Sequence, residues 1–340
     1  MKTLLIAGGG TLGLYTAEEL LRLGSEVEVI ALEELTSDNP KLTFIRERVD
    51  DAYLTGFLAG KHYDAIVDFI HYPDPAAYEK RLPLLQKSTD HLVFLSSYRV
   101  YADREHPVKY SSPQLLDACA GDEFLLKNDR YGISKCYEER ILRRCENRNW
   151  TIVRPLISFS HFRFDLITQG AGTLLTRPKE GKPILLPEEA RKLTAGLTWA
   201  GNTGKIIARL ALNDRAKGED YVLGTGEKHT WEEVAGYYTE LNGARFVWVD
   251  TETYLRYATS NDAGSRIILC YDRLFDREVD AEKTLLAAGL GTADFLPVRQ
   301  ALEKEMENAK TCKDPRLADS LRSAHIAAIN RKMDEYLGIA

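Results

Sequence analysis

The sequence predicts an α/β fold with a doubly wound parallel sheet, and three observations carry that prediction. Short apolar runs alternate with helical stretches from the N-terminus to about residue 155. The runs are nearly continuous rather than alternating, as in strands buried on both faces. A glycine-rich turn joins the first run to the first helix.

That first unit spans Lys2 to Glu34. Thr3 to Ala7 reads as a strand, and Gly8, Gly10 and Gly13 follow in G-x-G-x-x-G spacing with Gly9 in addition. Leu14 to Leu23 has apolar residues at helical spacing, Gly24 stops the helix, and Val27, Val29 and Ile30 make the second strand. Gly8 is expected to permit the bend, Gly10 to let the main chain approach a pyrophosphate, and Gly13 to let the helix pack on the strand. The N–H groups at Thr11 and Leu12, with the positive end of the helix dipole, then face the anion. This predicts a dinucleotide site over Gly8, Gly10, Thr11, Leu12 and Gly13.

Further strands are expected at Leu42 to Ile45, Asp64 to Ile70, His91 to Ser96 and Thr151 to Val153, with a short helix around Ala52 to Ala59. Residues 1–155 therefore read as a Rossmann-type dinucleotide-binding domain. Residues 156–340 read as a smaller substrate-binding region, of which one strand and one helix return to the core. Leu156 to Ala200 is rich in Gly, Pro and basic residues, consistent with loops and short elements over a substrate. Helices follow at Asn202 to Leu212 and at Thr230 to Leu241, the latter capped by Thr230 with Glu233 three residues on. Asp220 to Leu223 is a strand between them. Two last helices, near Val298 to Ala309 and Pro315 to Leu337, read as surface or packing elements.

Composition narrows the function. The 340 residues carry a formal charge of -6, so no basic surplus is available for a nucleic-acid partner. The five cysteines are odd in number and lack C-x-x-C pairing, which points to reduced thiols in a cytoplasmic protein. The histidines show no metal-ligand spacing, so no metal is expected. The apolar N-terminus is too short for a signal peptide, and no run approaches the roughly 18 apolar residues of a membrane span.

Two more constellations carry chemistry. Tyr131 and Lys135 stand four apart at the start of a helix running to about Cys145, hence on one face, where an ammonium makes a phenol more acidic. Ser96 and Ser97 end the fifth strand, where open α/β sheets place their active sites. Taken alone, these serines read more readily as a strand cap than as a site.

Together, AGGGTLG at Ala7 to Gly13, YDAIVDF at Tyr63 to Phe69, FLSSYRVY at Phe94 to Tyr101, YGISK at Tyr131 to Lys135 and TIVRP at Thr151 to Pro155 resemble the extended short-chain dehydrogenase/reductase family, in its NAD-dependent epimerase/dehydratase branch. YVLGTGEKHTWEEV at Tyr221 to Val234 is similar to the segment before that family's C-terminal helices. The resemblance covers roughly Met1 to Leu241. It implies that Tyr131 exchanges a proton with a substrate hydroxyl or carbonyl while hydride moves to or from nicotinamide. It further implies that Lys135 also holds the nicotinamide ribose, and that Ser97, four residues before Tyr101, is the active-site hydroxyl. A homodimer is also implied.

Departures from the family pattern are specific. Ala7 replaces the usual first glycine. Tyr98 and Arg99 stand where dehydratases of the family carry an Asp-Glu pair, so elimination in its usual form is not expected. Ser158 to Arg163 replaces a Gly-Pro pair. The ribose-binding acid belongs about 20 residues beyond the glycines. Ala31 and Leu32 take the nearest positions and Glu33 and Glu34 follow, which favours NAD over NADP unless Arg46 and Arg48 reach across. Tyr98, His161, Arg163 and Arg191 are the candidates for holding a small-molecule substrate. The expected function is an NAD(P)-dependent epimerase or oxidoreductase at a hydroxyl/ketone carbon, of a nucleotide sugar for example. The alternative is a non-catalytic NAD(P)-binding regulatory or RNA-associated protein on the same fold.

Overall fold

A computed structural model describes residues 1–339 of the chain. Seven strands form one parallel sheet: β1 (Lys2–Ile6), β2 (Glu26–Ala31), β3 (Leu42–Arg46), β4 (Ala65–Asp68), β5 (Leu92–Leu95), β6 (Trp150–Pro155) and β7 (Glu219–Leu223). Their spatial order is β3-β2-β1-β4-β5-β6-β7. The order reverses beside β1, whose last residue Ile6 pairs with Ile30 of β2 on one side and Asp68 of β4 on the other. A crevice therefore opens at the carboxyl ends of β1 and β4, the place where such sheets bind ligands.

Helices cover both faces. α1 (Thr11–Arg22) packs on α5 (Ala200–Ala211), where Leu20, Ile206 and Leu210 join Leu5, Val29 and Val67 in one core. The two helices approach so closely that a Cβ on Gly204 would lie 2.6 Å from the Tyr15 carbonyl carbon. On the other face α2 (Asp51–Leu58), α3 (Pro75–Lys87) and α4 (Gly132–Arg144) set Leu54, Leu82 and Leu142 against Leu4, Ile66 and Phe94. Each such fully buried side chain contributes roughly 1.5–3 kcal/mol of transfer free energy. Asp50 and Asp74 cap α2 and α3 with their carboxylates. α1 has glycine at its N-cap and no side-chain cap.

β7 comes from the second half of the chain and completes the sheet beside β6. One buried network locks this edge: Arg154 of β6 meets Glu139 of α4 through two contacts of 2.7 Å and Asp220 of β7 at 2.7 Å. Ser96 donates to the same Glu139 at 2.6 Å. Arg154 of the TIVRP stretch and Ser96 thus serve as structural ties, which leaves Ser97 as the hydroxyl at the strand end.

Residues 156–200 contain the expected short elements, among them short strands. Ile157–Phe159 pairs with Leu197–Trp199, and Ile184–Pro187 pairs with Phe246–Val249. α6 (Trp231–Asn242) begins with the expected capping box between Thr230 and Glu233. α7 (Val298–Thr311) follows the expected course, but the single last helix is in fact two, α8 (Pro315–Arg322) and α9 (Ala324–Leu337). Ser323 separates them with an extended ψ of 119°, and its hydroxyl caps α9 at the Ile326 N–H. Among the described residues no helix is long and apolar enough to cross a membrane, and no cluster of His, Cys, Asp and Glu suits a metal.

Candidate active site

The glycine turn divides its tasks differently from the expectation. The bend falls on Ala7, whose φ of 56° is the left-handed value that favours glycine. Gly8 is instead needed for packing, since a Cβ there would lie 2.8 Å from Leu5 Cβ and 2.9 Å from Val29 Cγ1. Gly13 closes the helix onto the turn, where a Cβ would meet Gly8 O at 2.2 Å. Gly10 faces open space, with nothing within 4 Å of a built Cβ. The uncapped start of α1 and the open face of Gly10 together make a cradle that fits the pyrophosphate of a dinucleotide.

Leu12, the second residue of α1, also lines a cavity of about 400 Å³ whose wall includes Ser97, Tyr98, Tyr131 and Arg163. Four of the sequence-predicted residues therefore meet beside the glycine turn. Ser97 follows β5 and is 6% exposed, and its Oγ accepts from Arg99 N at 3.2 Å. Tyr131 opens α4, where Asp129 holds the Tyr131 and Gly132 amides at 3.2 and 2.9 Å. The packing is tight, because a Cβ on Gly132 would come within 2.5 Å of Asp129 Oδ2.

Lys135 lies one turn on and is 2% exposed. Its Nζ donates to Ile70 O at 3.2 Å and to Glu138 Oε2 at 2.9 Å, and sits 4.5 Å from the Phe94 ring centre. Burial pushes the Glu138 carboxyl up and the Lys135 charge opposes that rise. Asp68, at the end of β4, is also pushed up by burial, against the Tyr72 hydroxyl that donates to it at 2.7 Å.

Several groups not assigned to the site from the sequence join it here. His71, in the loop after β4, stacks obliquely on Tyr131 with ring centres 4.9 Å apart. Burial, then the Lys135 and Arg99 charges, lower its pKa. The Arg99 guanidinium lies 5.2 Å over the same tyrosine ring and pairs with Asp129 at 3.0 Å. Arg273 and Asp272 add to the cavity wall from the far side of the sequence. Asp272 is 1% exposed; its carboxyl stays below the ordinary range because Arg273, Arg277 and Arg99 outweigh its burial. The rule that sites lie beyond the carboxyl ends of strands would have found His71; nothing local marks Arg273.

Two expected substrate contacts lie elsewhere. His161 lines a separate cavity of about 620 Å³ with α1 and α7, and its Nδ1 is 3.1 Å from Glu305. Glu305 is buried, which alone would raise its pKa. Hydrogen bonds from His161, Tyr15, Trp199 and Asn308 outweigh that and bring it down to about 2. Arg191 is taken up by Glu232 at 2.8 Å and lies over Trp248. A nearby carboxylate and an indole face satisfy it where it stands.

Glu33 lies beside the glycine turn, with Oε2 only 2.2 Å from where a Gly9 Cβ would be. Arg46 reaches across to Glu34 at 3.0 Å and to Leu32 O at 3.3 Å, so its charge is engaged outside the turn.

This sheet order, with the turn at its switch point, is a fold shared with solved epimerases. No protein-family model and no curated sequence matches the chain. Solved structures do. An epimerase from the methanogen Methanothermobacter thermautotrophicus is 16% identical over 90% of this chain and 91% of its own, with a TM-score of 0.68. UDP-glucuronic acid 4-epimerase from Bacillus cereus, in complex with UDP-glucuronic acid and NAD, is 14% identical over 91% of this chain and 99% of its own, with a TM-score of 0.66. The human epimerase family protein SDR39U1, solved with NADPH, is 17% identical over 91% of this chain and all of its own, with a TM-score of 0.63.

Proposed function

We propose that the chain is an NAD-dependent epimerase or oxidoreductase acting at a hydroxyl/ketone carbon, with Tyr131 as acid-base, Ser97 as hydrogen-bond donor and Lys135 as the holder of the ribose. The observation that carries this reading is the cavity in which Ser97 and Tyr131 face Leu12 of the glycine turn, with Lys135 buried one helical turn away. The similar folds solved with NAD or NADPH support the choice of cofactor. A bound nicotinamide dinucleotide supplies and recovers hydride at the substrate carbon.

The residues divide the remaining work. Gly10 and the start of α1 take the pyrophosphate; Lys135, with a third N–H still to place, takes the ribose hydroxyls. Ser97 Oγ donates to the substrate oxygen and Tyr131 Oη moves the proton at that same atom. The Arg99 guanidinium lies over the Tyr131 ring and helps to hold the phenol in place. Arg99, Arg163 and Arg273, which outnumber Asp272 in the cavity lining, suit a substrate that carries an anion. A nucleotide sugar meets that requirement, as in the Bacillus cereus epimerase.

The test is to titrate purified protein with NAD and then assay a panel of nucleotide sugars by product analysis. Tyr131→Phe should bind NAD as the wild type does and turn over some 10²- to 10⁴-fold more slowly. Ser97→Ala should lose less, since the tyrosine remains. Full turnover by Tyr131→Phe would remove the chain from this class and leave the non-catalytic dinucleotide-binding reading.

A further inference from the structure

The C-terminal segment touches the glycine turn. Arg316, the second residue of α8, donates through Nη1 to Gly9 O at 2.7 Å and lies 3.2 Å from Glu33 Oε1. Its other edge is held by Asp314, with Nε 2.9 Å from Oδ1 and Nη2 2.5 Å from Oδ2. The guanidinium carbon stacks 4.0 Å over the Phe162 ring centre, so the group is fixed on every side. Gly9 has no side chain, and Glu33 fills the space a Cβ would occupy.

In a βαβ dinucleotide site, the place beside this turn receives the adenosine ribose. An acid there bonds the 2′-hydroxyl, whereas an arginine accommodates a 2′-phosphate. Here the end of β2 offers only Ala31, while an acid and an arginine both stand next to Gly9. Their charges decide between the two ligands. One guanidinium faces two carboxylates, those of Glu33 and Asp314, and the paired fork of Arg316 is already spent on Asp314. The cluster is net negative, which opposes a 2′-phosphate dianion and leaves Glu33 to accept from a ribose hydroxyl.

We infer that Arg316 is a positioning residue that fixes Glu33 against Gly9 as the ribose acid, and that the Glu33–Arg316–Asp314 cluster makes the site select NAD against NADP. The inference rests on the dinucleotide-binding reading above and adds to it a selector delivered from the far end of the chain. It also gives the C-terminal helices a role that their charged, amphipathic sequence does not announce.

The experiment measures dissociation constants for NAD and NADP separately, by calorimetry on the full-length protein freed of copurified nucleotide. Wild type should prefer NAD. Arg316→Met should weaken NAD about tenfold, the scale of losing one well-placed charged contact, with little change in the already poor binding of NADP. Glu33→Gln combined with Asp314→Asn turns the cluster from net negative to net positive, and should tighten NADP at least tenfold while weakening NAD. Arg316→Lys, which keeps the charge but cannot form the paired contacts, should restore NAD binding only in part. Far-ultraviolet circular dichroism checks the fold of each variant, and Asp314→Asn alone, the mildest change, should still move the ratio toward NADP. An unchanged NAD/NADP ratio in both the double variant and Asp314→Asn overturns the inference while leaving the proposed function in place. Failure of the wild type to bind either nucleotide overturns both.

Discussion

Lys135 Nζ lies 2.9 Å from Glu138 Oε2 on the same helix, with the lysine 2% and the glutamate 0% exposed. The partners differ in what each becomes when left alone. Glu138, whose carboxyl burial already pushes up, can take a proton and stay buried as a neutral acid. A buried ammonium that loses its carboxylate is left as an uncompensated charge. Glu138→Gln should therefore cost on the order of 3 kcal/mol in urea unfolding at neutral pH, and Lys135→Met clearly less. Lys135→Met with Glu138→Leu should recover most of the loss. Equal unfolding midpoints for Glu138→Gln and the wild type would show that the pair does not support the helix.

Gly10 and Gly13 should respond in opposite ways to added side chains. Gly10→Val meets nothing in the protein, so its melting temperature should stay near that of the wild type while NAD affinity drops more than tenfold, because the methyls fill the pyrophosphate cradle. Gly13→Ala drives a methyl to 2.2 Å from Gly8 O and should lose roughly 1–3 kcal/mol or more of stability. Thermal melts beside NAD titrations separate the two outcomes. A stable, NAD-binding Gly10→Val protein would place the phosphates elsewhere.

His91 ties β5 to the end of α5, with Nδ1 3.0 Å from Ala211 O and Nε2 2.7 Å from Thr151 Oγ1. Burial brings its pKa down to about 4, with the Lys217 charge adding to the effect. The folded value thus lies below the unfolded one near 6.5, so the imidazole binds its proton more readily in the unfolded chain. Stability from this residue is whole above the unfolded value and is lost as pH falls toward 4, by up to about 3 kcal/mol. His91→Gln should be less stable than the wild type at pH 8 and should lose less between pH 6.5 and 4. Parallel acid slopes for the two proteins would assign the loss to other groups.

Ala7→Gly should stabilise. The alanine holds a left-handed φ of 56°, which costs a residue with a Cβ roughly 1–2 kcal/mol, and the greater freedom of glycine in the unfolded chain takes back part of the gain. A net increase of about 0.5–1 kcal/mol in urea unfolding is expected. A decrease would mean that the methyl is held by contacts that outweigh the strain.

What could be read in advance follows the range of the forces involved. The β1-α1-β2 unit is written in apolar spacing and glycines within one short stretch, and the capping box of α6 is local as well. Ser97 could be placed because the carboxyl ends of parallel strands share one edge, and the resemblance of the YGISK stretch joined Tyr131 to it. Arg316 and Gly9 stand 307 residues apart, and no periodicity connects them. Arg191 and His161 show the converse: a basic residue between residues 156 and 200 is drawn to whichever carboxylate the fold brings nearest, Glu232 or Glu305 here, and sequence does not say which. Ser323 ended a helix that its apolar pattern would have carried through, because a serine hydroxyl competes for backbone N–H groups.

The return of α5 and β7 to the sheet sets a timetable for biosynthesis. When residue 155 leaves the ribosome, β6 still offers a bare hydrogen-bonding edge and α1 lacks the helix that will cover it. Arg154 is by then close to Glu139, but its second carboxylate, Asp220, has yet to be made. At about 5–20 residues per second the nascent sheet waits several seconds for β7. During that interval the edge is open to pairing with any extended chain nearby, so the vulnerable moment of this protein falls midway through its own translation.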